Sequence, residues 1–303
     1  MNDICTKSVN LADESERVAY NRIGYPAYIR RDRLSHYPNY SAVSHWHEDL
    51  ELITVLSGRM LYNVNGTVFD ITEGNGIFVN GRQFHHGYSA DRSECEFICI
   101  VFHPLLLCVN EYFADRYVRP VMEHGGQPCI TLQHAVLWQR QVMDILREIC
   151  RCAGTKEDLL MIQKLLFDLW IPLYRHFPAD GDRPIRPNRQ LAAVKQMVSY
   201  IQEHYREALS LDQIAAAGNV CKSGCSALFR KYLSRPPVAY LNEYRLSRSL
   251  ELLLQTDMSI LEISYEVGFH HASYFSEIFR KCYHCTPREY VKRHKGMGTG
   301  AGS

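Results

Sequence analysis

Residues 223–240 read SGCSALFRKYLSRPPVAY, and 50 residues further on residues 273–290 read SYFSEIFRKCYHCTPREY. At that offset Ser223 and Ser273, Ser226 and Ser276, Phe229 and Phe279, Arg230 and Arg280, Lys231 and Lys281, Pro237 and Pro287, and Tyr240 and Tyr290 are identical. Cys225/Phe275 and Leu228/Ile278 are apolar in both copies. One supersecondary unit therefore occurs twice. A second short helical pattern precedes each copy, SLDQIAAAG at 210–218 and SILEISYEVGF at 259–269, so each unit reads as helix, tight turn, helix.

Within the second helix of each unit the apolar residues recur at i, i+3, i+4 and i+7: Cys225, Leu228, Phe229 and Tyr232, then Phe275, Ile278, Phe279 and Cys282. That stripe is predicted to be core. The opposite face carries Ser223, Ser226, Ala227 and Arg230 in one copy and Ser273, Ser276, Glu277 and Arg280 in the other. Small and hydrogen-bonding side chains allow close approach to base edges, while Arg230, Lys231, Arg280 and Lys281 reach phosphates. Between the units, PVAYLNEYRLSRSLELLLQT is helical in pattern and would hold two recognition helices at a fixed separation. One turn of DNA, about 34 Å, is the natural spacing. The charge distribution agrees with this reading. Residues 188–303 hold 15 Lys and Arg against 10 Asp and Glu, whereas residues 1–187 hold 19 against 23, and the basic part suits a polyanion such as double-stranded DNA.

The stretches ILEISYEVGFHHASYFSEIFRKCYHCTPREY and LDQIAAAGNVCKSGCSALFRKYLSRPPVAYLNEYRL make residues 190–293 resemble the DNA-binding domain of the AraC/XylS family of bacterial transcription regulators. That resemblance implies a regulator, by family habit an activator, that acts on promoter DNA together with RNA polymerase. It also implies that each recognition helix enters a major groove, with Ser223 and Ala227, then Ser273 and Glu277, at the main base-contacting positions. Ser223 and Ala227 are small beside the large residues of other members, so the first unit is expected to anchor more than it discriminates. Glu277 can accept a hydrogen bond from cytosine N4 and repels phosphate. His270 and His271, at the start of the second recognition helix, either contact the DNA backbone or cap and fill the turn. His284 stands where the family usually has glycine.

Ahead of this domain the pattern is that of strands from about residue 50 to 103. LYNV and TVFDI flank Asn65-Gly66, a pair suited to a two-residue hairpin turn; Gly74-Asn75-Gly76, IFV and the apolar run FICIVF at 97–102 follow. Short strands without intervening helices predict a small antiparallel barrel or sandwich. Beyond Thr131 the period becomes helical: Leu132, Val136, Val142, Met143, Leu146 and Ile149 form one stripe, and Leu159, Ile162, Leu166, Leu169, Trp170 and Leu173 another. Two readings of these helices are compatible, a cap on the barrel and a homodimer surface. PADGDRPIRPN, 178–188, has linker composition.

SHWHEDLELITVLSG, residues 44–58, spaces His45, His47, Glu51 and Gly58 as H-x-H-x3-E-x6-G, and a second segment runs from Gly76 to His85. Both are similar to the two half-motifs of the cupin superfamily, with Asn80 where proline is common. In cupin enzymes such positions bind a first-row metal, so His45, His47, Glu51 and His85 are candidate metal ligands; the spacing leaves occupancy open. In AraC-type regulators cupin-like barrels commonly sense effectors without catalysis. The reading taken is a small-molecule effector site of His45, His47, Glu51, Tyr62 and His85, with no committed cofactor and no enzyme activity. A carbohydrate would suit imidazoles, a carboxylate and aromatic faces. Trp46 is either core or rim, and His86 is expected to face solvent because adjacent strand residues point oppositely. A metal-dependent cupin oxygenase or isomerase fused to a DNA-binding domain is the alternative.

The composition is that of a globular chain, with 46% hydrophobic and 22% charged residues, which excludes disorder and collagen. Eleven scattered cysteines form no disulfide framework, and Cys221/Cys225 and Cys282/Cys285 read as ordinary thiols rather than zinc ligands. The N-terminal residues lack a signal-peptide pattern and no run of about 18 apolar residues occurs, so a cytoplasmic protein without membrane contact is expected. The predicted fold is multidomain β plus α. A cupin-like antiparallel β-barrel at 1–130 senses effector and a helical dimerisation or cap region follows at 131–177. After the linker at 178–188, an all-α domain with two helix-turn-helix units occupies 189–295, and a flexible tail covers 296–303.

Overall fold

The computed structural model describes residues 9–10, 16–123, 127–153, 158–177 and 188–295. The expected linker, but for Asn188, and the expected tail lie outside the described residues. Two compact units emerge, Met1–Asn188 and Arg189–Ser303.

The first unit is built on a seven-stranded antiparallel sheet: β1 (Ala27–Arg33), β2 (Leu50–Val64), β3 (Thr67–Thr72), β4 (Gly76–Val79), β5 (His85–Tyr88), β6 (Cys95–Phe102) and β7 (Cys129–Leu132), with the main path β1-β6-β2-β4-β7. The long strand β2 organises it. Its first half pairs with β6 and β4, a register shift falls between Val55 and Ser57, and its second half pairs with β3 and β5. Gly58, at φ 79°, sits just past that shift, and a Cβ there would lie 2.3 Å from the Glu94 carbonyl oxygen. The chain bends there because only glycine fits both the conformation and the close approach. Asn65 and Gly66 take φ 52° and 87° and close the β2–β3 hairpin as their sequence predicts.

Strand parity decides which side chains meet. Leu50 and Leu52 of β2, Phe78 of β4 and Ile98, Ile100 and Phe102 of β6 pack on one face against α1 (Leu137–Cys152) and α2 (Asp158–His176). Ile53, Val55, Met60, Tyr62, Val64, Ile77, Val79 and Phe97 fill the other side. Both faces are covered, which is why FICIVF is apolar without alternation. The helices are therefore a cap on the sheet, held by Val142, Met143, Leu146, Leu166, Leu169 and Trp170. Their start differs from the predicted stripe. Leu132 belongs to strand β7, paired with Gly76, and Val136 is the residue before the first helical turn. Sheet pairing satisfies the backbone of 129–132 and buries Leu132, so the helical period begins only at Leu137.

The second unit holds seven helices among its described residues: α3 (Arg189–His204), α4 (Leu211–Ala217), α5 (Lys222–Leu233), α6 (Pro237–Gln255), α7 (Ile260–Glu266), α8 (Ala272–Tyr283) and α9 (Pro287–Lys295). α4–α5 and α7–α8 are the repeated pairs, and α6 touches helices of both. Each pair begins with a capping box, Ser210 with Gln213 and Ser259 with Glu262. Cys225, Phe229 and Tyr232 of α5 and Phe275 and Phe279 of α8 are buried, as their stripe predicts. Both α5 and α8 end in a left-handed residue, Ser234 at φ 57° and His284 at φ 55°, whose N–H bonds the carbonyls of Arg230 and Arg280. His284 thus supplies the turn that glycine would give elsewhere.

Candidate functional sites

On α5 the side chains of Ser223, Ala227, Arg230 and Lys231 are exposed and Ser226 is half-buried; on α8 Ser273, Glu277, Arg280 and Lys281 are exposed and Ser276 is half-buried. These faces lie opposite the buried stripe, so burying Phe229 and Phe279 turns them outward. Lys281 Nζ donates to Glu277 Oε1 at 2.7 Å, and the pair lowers the glutamate pKa while raising that of the lysine. A base contact by Glu277 must compete with this ion pair. Lys231 Nζ donates to Gln190 Oε1 at 2.8 Å, which ties α5 to α3. His270 and His271 are exposed, and His271 holds the N-cap position of α8 without a side-chain capping bond. Arg288, Lys292 and Arg293 on α9 are exposed cations that the repeat does not single out.

In the first unit His45, His47, Glu51 and His85 converge, one ligand atom from each lying within 4.8 Å of all the others. Glu51 projects from β2 on the side opposite Leu50 and Leu52. His85 opens β5, and the segment carrying His45 is joined to it by two backbone bonds, His45 N to His85 O and His85 N to His45 O. All three imidazoles are oriented alike, with Nδ1 against a backbone carbonyl two residues away. The distances are 2.8 Å for His45 to Val43, 3.1 Å for His47 to Asp49 and 2.8 Å for His85 to Gln83. Glu51 Oε2 lies 3.4 Å from His47 Nε2 and 3.1 Å from His85 Nε2, while the Tyr62 hydroxyl donates to the other oxygen, Oε1. His47, Glu51, Tyr62 and His85 are 2%, 4%, 2% and 1% exposed, so the cluster is buried.

Burial alone would raise the Glu51 carboxyl pKa, but the His85 imidazole and hydrogen bonds from His47 and His85 overcome it and hold the group well below the usual carboxylate range. Burial pushes the Tyr62 phenol well above its ordinary value, and the Glu51 charge adds to this, so the hydroxyl stays a donor. Burial lowers His85, against the pull of Glu51, and favours its neutral form. Imidazoles with anchored Nδ1 and a carboxylate oxygen are the donor set of a first-row divalent cation, and the four residues fit one. Two expectations for neighbouring residues change. His86 is buried at 3% exposure, because its face is also covered and its ring stacks on Tyr88 at 5.5 Å. Trp46, 8% exposed, belongs to the core rather than the rim. A further buried polar group escaped the motif. Asp32 on β1 meets Arg30 Nε at 3.1 Å, His36 Nδ1 at 2.6 Å and the Tyr37 hydroxyl at 2.9 Å, and only its alternation with Arg31 and Arg33 marked it as inward.

A β-domain enclosing a compact binding centre, fused to a paired helix-turn-helix domain, defines a two-domain DNA-binding regulator. Residues 33–169 match the family of AraC-like ligand-binding domains, and residues 208–293 match a helix-turn-helix domain family. The chain is 30% identical to the uncharacterized HTH-type transcriptional regulator YdeC of Bacillus subtilis over 82% of this chain and 85% of that protein. It is 23% identical to the melibiose operon regulatory protein of Escherichia coli over 88% and 89%. A crystal structure of apo ToxT from Vibrio cholerae aligns over 90% of this chain and 98% of its own with 13% identity and a TM-score of 0.46. The chain belongs to the AraC family of HTH-type transcriptional regulators. It is a ligand-responsive, DNA-binding regulator of transcription.

Proposed function

We propose that the protein is a cytoplasmic transcriptional activator that binds promoter DNA through α5 and α8 and works with RNA polymerase. A small-molecule effector acts through the first unit, and the exposed side of α1 and α2 joins two protomers. The observation that carries the reading is the pair of recognition helices within one compact unit. Both present small side chains flanked by arginine and lysine, on faces that core packing turns outward. Ile171 and Leu160, 47% and 82% exposed on α2, support the homodimer. The name of the Escherichia coli relative, a melibiose operon regulator, supports a carbohydrate effector. Effector binding would change the population of DNA-competent arrangements, which is the thermodynamic requirement for a switch.

The test is selection of a binding motif from random DNA by the full-length protein at two salt concentrations. A motif with two half-elements about one helical turn apart is expected. Glu277→Ala should relax the preference at one position by about 1–3 kcal/mol. Salt-sensitive binding with no enriched sequence, with and without candidate sugars, would refute the reading.

A further inference from the structure

The inner face of the sheet carries a second set of polar residues, on β1, that the histidine spacing does not include. Ala27 and Ile29 pack on the helix side, so the alternate residues Tyr28, Arg30 and Asp32 point inward. Register places them in rows across three strands: Tyr28 beside Val101 of β6 and Val101 beside Glu51 of β2, then Arg30 beside Cys99 and Cys99 beside Ile53. At the usual strand spacing β1 and β2 stand about 10 Å apart as two walls, with Cys99 and Val101 as the floor between them. Cys99 lies in the middle of β6, and burial raises its thiol pKa well above the ordinary value, yet it is only half-buried to water. Open space therefore remains over the floor. Tyr37 closes one side of it, its hydroxyl donating to Asp32 at 2.9 Å while its ring packs against the inner core that contains Tyr62.

The groups around this space suit hydroxyl recognition. Asp32, 2% exposed, meets Arg30 Nε at 3.1 Å and His36 Nδ1 at 2.6 Å, so the guanidinium is fixed through Nε and its terminal N–H groups are left to donate inward. Arg30 also bonds the Tyr28 hydroxyl, and burial pushes that phenol pKa well up, so Tyr28 keeps a proton to give. Donors on β1 thus face the Glu51 carboxylate on β2, and a hydroxyl, which both gives and accepts, satisfies both walls. Charge decides between a neutral and an acidic ligand. Arg30 is already paired with Asp32, so a ligand carboxylate or phosphate would enter beside two carboxylates with no cation to itself, and burying an unmatched charge is costly. We propose that the space over Cys99 is a subsite for a neutral, hydroxyl-bearing ring of the effector, with Tyr28 and Arg30 as its donors and Asp32 as the positioning residue that orients Arg30. The inference rests on the reading of the first unit as effector-binding, because it names the class of ligand and new residues for it.

The probes are glucose, galactose and xylose as neutral rings, with glucuronate and galacturonate as two of the same rings bearing a carboxylate, each titrated calorimetrically into full-length protein. Saturable binding of at least one neutral sugar is expected, with the acids weaker by about 10-fold or more. Tyr28→Phe removes a single hydroxyl and should weaken the neutral sugar about 10-fold with the melting temperature nearly unchanged. Cys99→Leu fills the space over the floor and should abolish binding. Asp32→Asn releases the guanidinium, so it should weaken the neutral sugar while narrowing or reversing the preference over the acid, a change that loss of packing alone would not produce. Absence of saturable binding by every neutral sugar overturns the subsite, and an acid bound as tightly as its neutral counterpart overturns the ligand class. Affinity unaltered in both Tyr28→Phe and Cys99→Leu would place the sugar elsewhere and overturn the assignment. An unchanged preference in Asp32→Asn overturns the positioning role. Motif selection is scored separately: operator binding without sugar binding removes this inference alone, and sugar binding without an enriched motif removes the regulator reading alone.

Discussion

A single thiol separates itself from the others by its surroundings. Cys221 is exposed at the start of α5, where the Ser223 hydroxyl, 3.2 Å away, and the Gly224 N–H lower its pKa. Burial pushes Cys225, one turn further on, up to about 11, and Cys129 up to about 12. The thiolate is the nucleophile, so at pH 7 Cys221 should be alkylated by iodoacetamide well before the other described cysteines, as peptide mass spectrometry will show. Its neighbours Ser223 and Arg230 stand on the proposed DNA face, so operator DNA should slow the reaction. Equal labelling of Cys221 and Cys225 would contradict the burial. Sequence could not make this distinction, because Cys221-x3-Cys225 is only a spacing. The H-x-H-x3-E spacing was more legible, since period-two alternation and a nearby β5 bring His45, His47, Glu51 and His85 together. What the motif did not contain was Tyr62's bond to Glu51, which depends on the bend of β2 between Val55 and Ser57, or the carbonyl two residues from each imidazole, which depends on local backbone conformation rather than on residue spacing.

At the scale of elements, repetition made the second unit readable and its absence hid the rest. α4–α5 and α7–α8 were visible because one pattern occurs twice, and α6 because it joins them. α3 lies outside the repeat and was read only as the beginning of a domain, although Val194, Met197, Val198 and Ile201 form its buried stripe. β7 was absorbed into a helical period because Leu132 and Val136 fit that spacing by chance. The duplication extends to the capping boxes at Ser210 and Ser259, each of which satisfies N-terminal N–H groups otherwise left without a helical partner. Ser210→Ala and Ser259→Ala should each cost about 1 kcal/mol in denaturant unfolding of the second unit. Ser234 and His284 offer the opposite change. Glycine relieves the left-handed penalty of an L-residue, so Ser234→Gly and His284→Gly should each stabilise by up to about 1 kcal/mol. A destabilising His284→Gly would show that the histidine ring contributes more than its backbone costs.

For the whole chain the decisive feature is charge separation with almost no net charge. The formal balance is +1, yet residues 188–303 carry a net excess of five cations, and Arg230, Lys231, Arg280 and Lys281 stand exposed on the two recognition helices. Glu277 opposes this field and is held by Lys281, so in the proposed reading phosphate attraction and base reading fall to different side chains of one helix. That division makes them separable by salt. Each phosphate neutralised by a cation releases counterions and steepens the dependence of log affinity on log salt by about 0.9. The double variant Arg230→Ala/Arg280→Ala should therefore flatten the slope for the selected operator by about 2, weakening binding across sequences without changing the preferred motif. Glu277→Ala should leave the slope nearly unchanged, or steepen it as Lys281 is freed, while altering the preferred base. Fluorescence anisotropy of the full-length protein between 50 and 200 mM salt, roughly the range over which such contacts dominate, measures both quantities. An unaltered slope in the double arginine variant would move the phosphate contacts to other cations, Arg288, Lys292 and Arg293 of α9 foremost, because these are exposed on the same basic unit.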